Sequence, residues 1–540
     1  MSTNTLSGKP LWSLAAIFGA LTVLVHIPFV IRYDLYFQSG IAVEALQCKR
    51  MCGGELSLYT WATDYGGLSP IQFFGAALFR IFGFSIPLAG LVSLITWALG
   101  IALLVGYVAA CLGKRAGIGA GISLAVGMPF FLMYSTQYFR ATYDHMPLFI
   151  GGFLWLTTLS MRRGPQSRLS VLIAFLMGWC WYMNKQVLVV WASIGIVLLL
   201  LPEGRKYMAS FLRSRFAIFA AIAFLVGYSP ELLYKIGFFD HAGRQGDSSS
   251  FFSLAAPDLM LRNWYMMFRS IPTYFDADPW SRMPEGVHYL NHMENWESFP
   301  LHASDTIGII GAFLVIGYML QSLVNAYKEK NLALLLLTAI PVVSAIMIVT
   351  AAKSGASYYN IRRYLLPSGI LFVTWLGVRL SHEITLRRWA ISSILGLTLL
   401  ISAFHQVELL DAPDQLVDYR RTIDEIEKGG FTHGLSWYSF SPTLTALCNE
   451  RVIFGVIDFS IQSPYQGSVL AQDELAIVWP ARSAPPFEFA QQLFFGGVKF
   501  RDDAAKVLPE RVSFFGQNYV RTREPRIVGE LGWAPYRKAP

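Results

Sequence analysis

Two acidic residues and a scattered set of basic ones are the parts of this 540-residue sequence best suited to chemistry. Asp34 stands in Arg32-Tyr33-Asp34, directly after a long apolar run, where a carboxylate is costly unless it faces water or a partner. Asp64 follows in Thr63-Asp64-Tyr65-Gly66-Gly67, ahead of Ser69-Pro70. Carboxylates at the start and end of one folded loop can share a pocket, one acting as a general base and the other positioning a substrate or binding a metal. The plainer alternative is that each caps a helix or pairs with an arginine, and spacing alone favours that alternative. Arg140, Lys185, Lys353, Arg362 and Arg363 form the second set. Arginine binds phosphate bidentately and lysine supplies a point charge, so together they suit an anionic group.

The elements that must position these residues are apolar. The chain is 54% hydrophobic and 14% charged, which lies outside the range of soluble globular domains. Its formal charge of +8 comes from basic residues in short gaps between apolar runs, a pattern of membrane topology signals and not of a nucleic-acid groove. A span needs roughly 20 apolar residues. That rule predicts helices near 11 to 31, 86 to 111, 117 to 135, 145 to 161, 169 to 184, 187 to 201, 215 to 234, 304 to 326, 331 to 352, 363 to 381 and 388 to 405, about eleven in all. Lys9 precedes the first run, which exceeds a signal-peptide core and lacks a small-x-small cleavage site, so it reads as an anchored helix.

With Lys9 inside, the alternate loops carry Lys114 and Arg115, then Arg162, Arg163 and Arg168, then Arg205, Lys206, Arg213 and Arg215, then Lys328 and Lys330, then Arg387 and Arg388. This is the positive-inside pattern. It predicts a cytoplasmic N-terminus and puts two large loops, about 32 to 85 and 236 to 303, on the outer face with everything after about 406. The five basic residues named above then sit on the side where such charges are disfavoured. A lipid phosphate or diphosphate there would compensate them, and so would snorkelling or pairing with Asp144 and the loop acids. The two readings balance for Arg140 and Lys185, and phosphate is favoured for Arg362 and Arg363.

Segment 69 to 83 is amphipathic and fits either an interfacial helix or the start of a span. The second outer loop holds His241, Asp276, Asp278, His288, His292, Glu294 and Glu297, read first as a solvated loop, next as substrate contacts and last as a metal site. Trp179-Cys180-Trp181-Tyr182, Trp264-Tyr265 and Trp280 read as belt or core aromatics. Cys48 and Cys52 fit a local disulfide or two free thiols better than a metal site, because no second Cys or His pair stands at ligand spacing.

From about 406 the composition changes to charges, prolines and short β-branched runs. Arg451 to Asp458 and Glu474 to Trp479 read as strands, and Pro442 to Cys448 and Phe487 to Phe495 as helices. The expected architecture is a polytopic α-helical membrane domain over 1 to 405 with a small extracytoplasmic α/β domain over 406 to 540.

The order of parts resembles the GT-C superfamily of membrane glycosyltransferases, in particular the branch of protein mannosyltransferases and aminoarabinose transferases. The resemblance rests on Asp34 after the first span and on Asp64-Tyr65-Gly66-Gly67-Leu68-Ser69-Pro70 before the amphipathic segment. Gly227-Tyr228-Ser229-Pro230 and Arg363-Tyr364-Leu365-Leu366-Pro367 add to it. It implies an inverting glycosyltransferase of the inner (cytoplasmic) membrane that takes a sugar from a polyprenyl-phosphate donor to a lipid, glycan or protein acceptor on the outer face. In that scheme Asp34 is the catalytic carboxylate, and Asp64 orients the acceptor or completes a divalent metal site. Arg362, Arg363, Lys353, Arg140 and Lys185 receive the lipid phosphate. Two further readings stand beside it: a transporter or flippase of lipid-linked precursors, against which the scarcity of ionisable residues within the spans counts, and an envelope assembly protein working through its tail.

Overall fold

A computed structural model describes residues 11–37, 39–60, 66–126, 143–236, 254–270, 303–351, 365–382, scattered positions between 389 and 414, and 416–539 apart from 438–439, 458–462, 481–509 and 530. The first apolar run is two helices, α1 (Trp12–Val25) and α2 (Ile27–Ile31), where one was expected. Pro28 explains the break, since it has no N–H for the preceding turn and its ring crowds that turn's carbonyl. A short 3-10 turn, Tyr33–Tyr36, carries Asp34 and leads into α3 (Ser39–Cys52). The amphipathic segment is a separate helix, α4 (Pro70–Phe82), with Pro70 at its first position and Ser69 Oγ accepting the Gln72 N–H at 3.3 Å. Phe73, Ala77, Arg80 and Ile81 lie exposed along one side of it, the arrangement of a helix lying at an interface.

The apolar bundle follows: α5 (Ile86–Leu112), α6 (Lys114–Val126), α7 (Met146–Arg163), α8 (Arg168–Met183), α9 (Val187–Leu200), α10 (Pro202–Leu212), α11 (Arg215–Lys235), α12 (Pro257–Ser270), α13 (Ala303–Lys328), α14 (Leu332–Thr350) and α15 (Leu366–His382). Among the described residues three helices are long and apolar enough to cross a membrane alone: α5, α11 and α14. The pair α9 and α10, bent by 109° at Pro202, makes a fourth if it is one span. The helices Trp12–Val25, Pro70–Phe82, Arg168–Met183 and Leu366–Ser381 are apolar but shorter. The described residues do not test the expected count of eleven, since most of 388 to 405 and the second half of 117 to 135 lie outside them.

Lipid is legible on α11, where Ile218, Phe219, Ile222, Leu225 and Val226 are all more than half exposed at the protein surface. So large an apolar face is stable only against other apolar matter. Glycine sets the helix spacing. A Cβ at Gly178 of α8 would come 2.1 Å from the Phe224 carbonyl oxygen of α11, and one at Gly227 would come 2.2 Å from that of Phe175. Gly119 of α6 and Gly377 of α15 meet in the same way, at 2.0 and 2.3 Å. Small residues let apolar helices approach closely where no hydrophobic effect drives them together.

The tail is α/β. Helices α16 (Val417–Lys428), α17 (Ser441–Leu447) and α18 (Gln466–Leu470) pack on a seven-stranded sheet. Its strands are β1 (His433–Ser436), β2 (Ile453–Val456), β3 (Glu474–Pro480), β4 (Arg511–Phe514), β5 (Gln517–Arg521), β6 (Arg526–Val528) and β7 (Leu531–Lys538), in the order β2-β1-β3-β7-β5-β4 with β6 beside β7. The first three are mutually parallel and the rest antiparallel. Alternation along β3 divides the core, with Leu475, Ile477 and Trp479 in one cluster and Ala476 and Val478 in the other. The strands and helix expected near 451, 474 and 442 are present; Phe487 to Phe495 lies outside the described residues.

Candidate functional site

The register between α5 and α7 fixes which helix ends lie together. The Ser93 hydroxyl donates to the Asp144 carboxylate, Gly100 abuts Pro147 and Leu148, the Trp155 indole donates to the Leu103 carbonyl at 3.0 Å, and Tyr107 meets Thr158 at 3.3 Å. Positions rise together, so the two helices run parallel. Their C-terminal ends carry Arg162 and Arg163 beside Lys114 and Arg115, and Asp144 lies at the opposite end, just before α7.

Asp34 belongs to the acidic end. The Tyr33 ring covers Gly90 of α5, one turn from Ser93, which holds Asp144. Asp34 is only partly buried, with Arg32 Nε 3.3 Å from Oδ1, while Arg32 Nη1 donates to the Leu410 carbonyl at 2.9 Å. The expected pairing of a loop acid with a nearby arginine is therefore real for this residue, and it leaves part of the carboxylate exposed.

Asp64 lies outside the described residues, but the residues on either side of 61–65 are held. Tyr59 and Gly66 form an antiparallel bridge, and the Gly67 N–H donates to the Leu58 carbonyl at 2.7 Å. These flanking residues sit on the end of α8. The Gly66 N–H reaches the Met183 carbonyl at 3.3 Å, the Leu68 N–H reaches the Tyr182 oxygen at 3.3 Å, and the Tyr182 hydroxyl donates to the Leu58 carbonyl. Trp179 Nε1 donates to the Leu68 carbonyl at 3.1 Å, so two members of the Trp179 to Tyr182 run hold this loop. Just beyond it, the Ile71 N–H donates to His145 Nε2 at 3.0 Å, tying the start of α4 to the start of α7.

Buried acids that sequence reasoning did not select complete the layer. Glu44 of α3 is fully buried and accepts from Gln72 Nε2 at 2.7 Å, while the same amide donates to Thr60 Oγ1 at 2.9 Å. Asp144 and Glu231 are also fully buried. A buried carboxylate needs partners to be tolerated. Glu231 finds them in the Tyr59 phenol, which donates to Oε2, and in Lys185 and Lys235, whose ammonium groups lie 3.8 and 3.7 Å from Oε1. Lys185 thus has an acidic neighbour on α11. The only sequence signal was an ionisable residue in the last turn of an apolar helix, which is a functional indication by default.

The structure thus brings Asp34, the residues that flank 61–65 and Lys185 to one end of the bundle. Arg140, Lys353, Arg362 and Arg363 lie outside the described residues, as do the acids and histidines between 271 and 302 and His241. Among the described residues no group of three or more His, Cys, Asp or Glu could hold a metal ion. Cys48 and Cys52 are free thiols one turn apart on α3, and Cys52 Sγ donates to the Ala76 carbonyl of α4 at 3.0 Å.

No family model matches the chain, and no curated protein matches it. Solved structures do. ArnT from Cupriavidus metallidurans bound to undecaprenyl phosphate aligns with a TM-score of 0.41 at 12% identity, over 97% of this chain and 98% of that one. The archaeal oligosaccharyltransferase AglB from Archaeoglobus fulgidus, in complex with an inhibitory peptide and a dolichol-phosphate, aligns with a TM-score of 0.44 at 13% identity, over 87% of this chain and 69% of that one. Identities this low leave the function to the residues themselves.

Proposed function

We propose that this chain is an inverting membrane glycosyltransferase that moves a sugar from a polyprenyl-phosphate donor to an acceptor at the outer face of the cytoplasmic membrane. The observation that supports the reading is that Asp34, Lys185 and the flanking residues Tyr59 and Gly66 lie at one end of an apolar bundle, opposite the basic C-terminal ends of α5 and α7. An acid and a cation at the membrane boundary are what such a transfer requires.

In this reading Asp34 accepts the proton of the acceptor hydroxyl as its oxygen attacks the anomeric carbon. The bond from that carbon to the phosphate oxygen breaks, and the lipid phosphate leaves with the electron pair. Negative charge grows on the departing oxygen, where a fixed cation is most effective. Lys185 supplies one such charge, with Arg140, Lys353, Arg362 and Arg363 assigned to the same task. Arg32 sets the direction of the Asp34 carboxylate through their contact at 3.3 Å. Asp64 orients the acceptor or completes a divalent metal site. Apolar grooves between helices admit the prenyl chain.

The test uses purified full-length protein. Mass spectrometry of co-purified lipid should find a polyprenyl phosphate, and a polyprenyl-phosphate sugar should lose its sugar to an acceptor. Transport of a labelled lipid-linked precursor in proteoliposomes, without covalent change, would replace this reading with that of a flippase.

A further inference from the structure

We propose that α10 and the start of α11 form a site for the phosphate headgroup of an anionic phospholipid, at the end of the bundle away from Asp34. Helix α10 leaves α9 at 109° and so lies across that end. Its inner face is firmly seated. A Cβ at Gly204 would come 2.1 Å from the Leu198 carbonyl oxygen, so the two helices are closely folded at the bend. The Tyr207 oxygen lies 2.5 Å from Ser160 Oγ of α7 and 3.0 Å from Ser170 Oγ of α8, and Met208 packs on the bundle core. Ser160 stands one turn before Arg163, which places α10 at the basic end of α7.

The outer face is basic. Arg205, Lys206 and Arg213 are exposed, and none of the three has a side-chain hydrogen bond or ion pair among the described residues. Arg215, also exposed, opens α11 with its guanidinium 5.9 Å from the Phe216 ring. Against these four cations, residues 202 to 230 contain one acid, Glu203, whose Oε2 is buried. The surface beside them is apolar. Leu199 and Leu200, just before α10, and Leu212 at its last position are more than half exposed, and the exposed stripe of α11 starts at Ile218, one turn from Arg215. Gly178 meets Phe224 and Lys185 meets Glu231, so α8 and α11 run parallel and Arg215 lies at the same end as α10. A soluble anion would engage the cations and leave the leucines in water. A phospholipid satisfies both, with its phosphate on the guanidinium groups and its acyl chains along Ile218 and Ile222.

The experiment uses the full chain in detergent at low salt, titrated with dioleoyl phosphatidylglycerol or dioleoyl phosphatidylcholine and read by native mass spectrometry. Wild type should hold phosphatidylglycerol about tenfold more tightly or better. The variant Arg205→Gln/Lys206→Gln/Arg213→Gln should lose that preference, by about fivefold for each charge removed. Its melting temperature should not change, since all three side chains are exposed. Each single substitution should give part of the loss, so the result stands even if the triple variant does not fold. Lys428→Gln/Arg511→Gln/Arg523→Gln removes the same charge from exposed positions of the tail and should keep the preference, which separates a site from net charge. Equal affinity of wild type for the two lipids, or an undiminished preference in the single and triple variants of α10, overturns the proposal. So does displacement of the lipid by inorganic phosphate at equal concentration, which would mark a site for soluble anions. Undecaprenyl phosphate differs in mass, and its loss in the triple variant alone would place the donor lipid here and overturn the assignment to phospholipid.

Discussion

Arg32 Nε lies 3.3 Å from Asp34 Oδ1, and the same guanidinium donates through Nη1 to the Leu410 carbonyl, so the first acid of the chain is anchored to a segment 378 residues further on. The contact aims the carboxylate without burying it. Asp34→Asn keeps the shape and removes the base. Turnover should fall by about 10²- to 10⁴-fold while undecaprenyl phosphate still binds, the magnitude expected when a general base is lost. Single-turnover kinetics beside a lipid-binding measurement checks this, and full activity in the variant removes Asp34 from the chemistry.

Close helix packing at Gly178 and Gly227 should tolerate no side chain. Gly178→Leu or Gly227→Leu forces carbons into a backbone carbonyl about 2 Å away and should destabilise the bundle by about 1–3 kcal/mol or more. Gly195, with open space around its Cβ position, is the control that should tolerate alanine. Melting curves in a fixed detergent distinguish the two.

Helix α3 is joined to the tail. Lys49 of α3 pairs with Glu450, its Nζ donates to the Asn449 carbonyl at 3.1 Å, and Arg50 lies over the Tyr465 ring at 5.5 Å. Beneath these contacts Ile41, Ala42 and Ala45 share an apolar cluster with Leu416 and Ala446. The ion pair is about a quarter exposed on each side, so a double-mutant cycle between Lys49→Ala and Glu450→Ala should give a coupling of only about 0.2–1 kcal/mol that shrinks in salt. A much larger coupling would mean that the charge pair, and not the apolar patch, holds α3 to the tail.

Burial pushes the Cys48 thiol well above its usual 9.0, with the Glu44 carboxylate adding to the effect, and burial raises Cys52 as well. The fold favours the neutral thiol. Its contribution to stability is therefore complete below about pH 9 and declines as pH rises through the folded-state value, because the unfolded chain ionises first. Alkylation of Cys48 at pH 8 should be negligible in the native protein and rapid after denaturation. Fast native labelling would show that α3 opens on the timescale of the reaction.

Hydrophobic content is a local property, and it determined much by itself. Apolar runs located Ile86–Leu112, Arg215–Lys235 and Leu332–Thr350 to within a residue or two, because a bilayer reads composition over one helix at a time. The parallel run of α5 and α7 puts Lys114, Arg115, Arg162 and Arg163 at one end of the bundle. Short strands such as Ile453–Val456 were legible from β-branched and apolar runs between polar turns. Where a helix stops was less legible, since Pro28 and Pro202 act through sterics that average hydropathy does not register.

Partnership was decided only by tertiary structure. Nothing near Lys185 in the sequence indicates Glu231, nor does Tyr59 reveal that its hydroxyl will meet a carboxylate 172 residues away. Asp144 looked like a loop acid until Ser93 appeared beside it from another helix. Composition decides which segments leave water, but the cost of burying a charge is met only by groups that folding brings to it, and their identity is a fact of three dimensions.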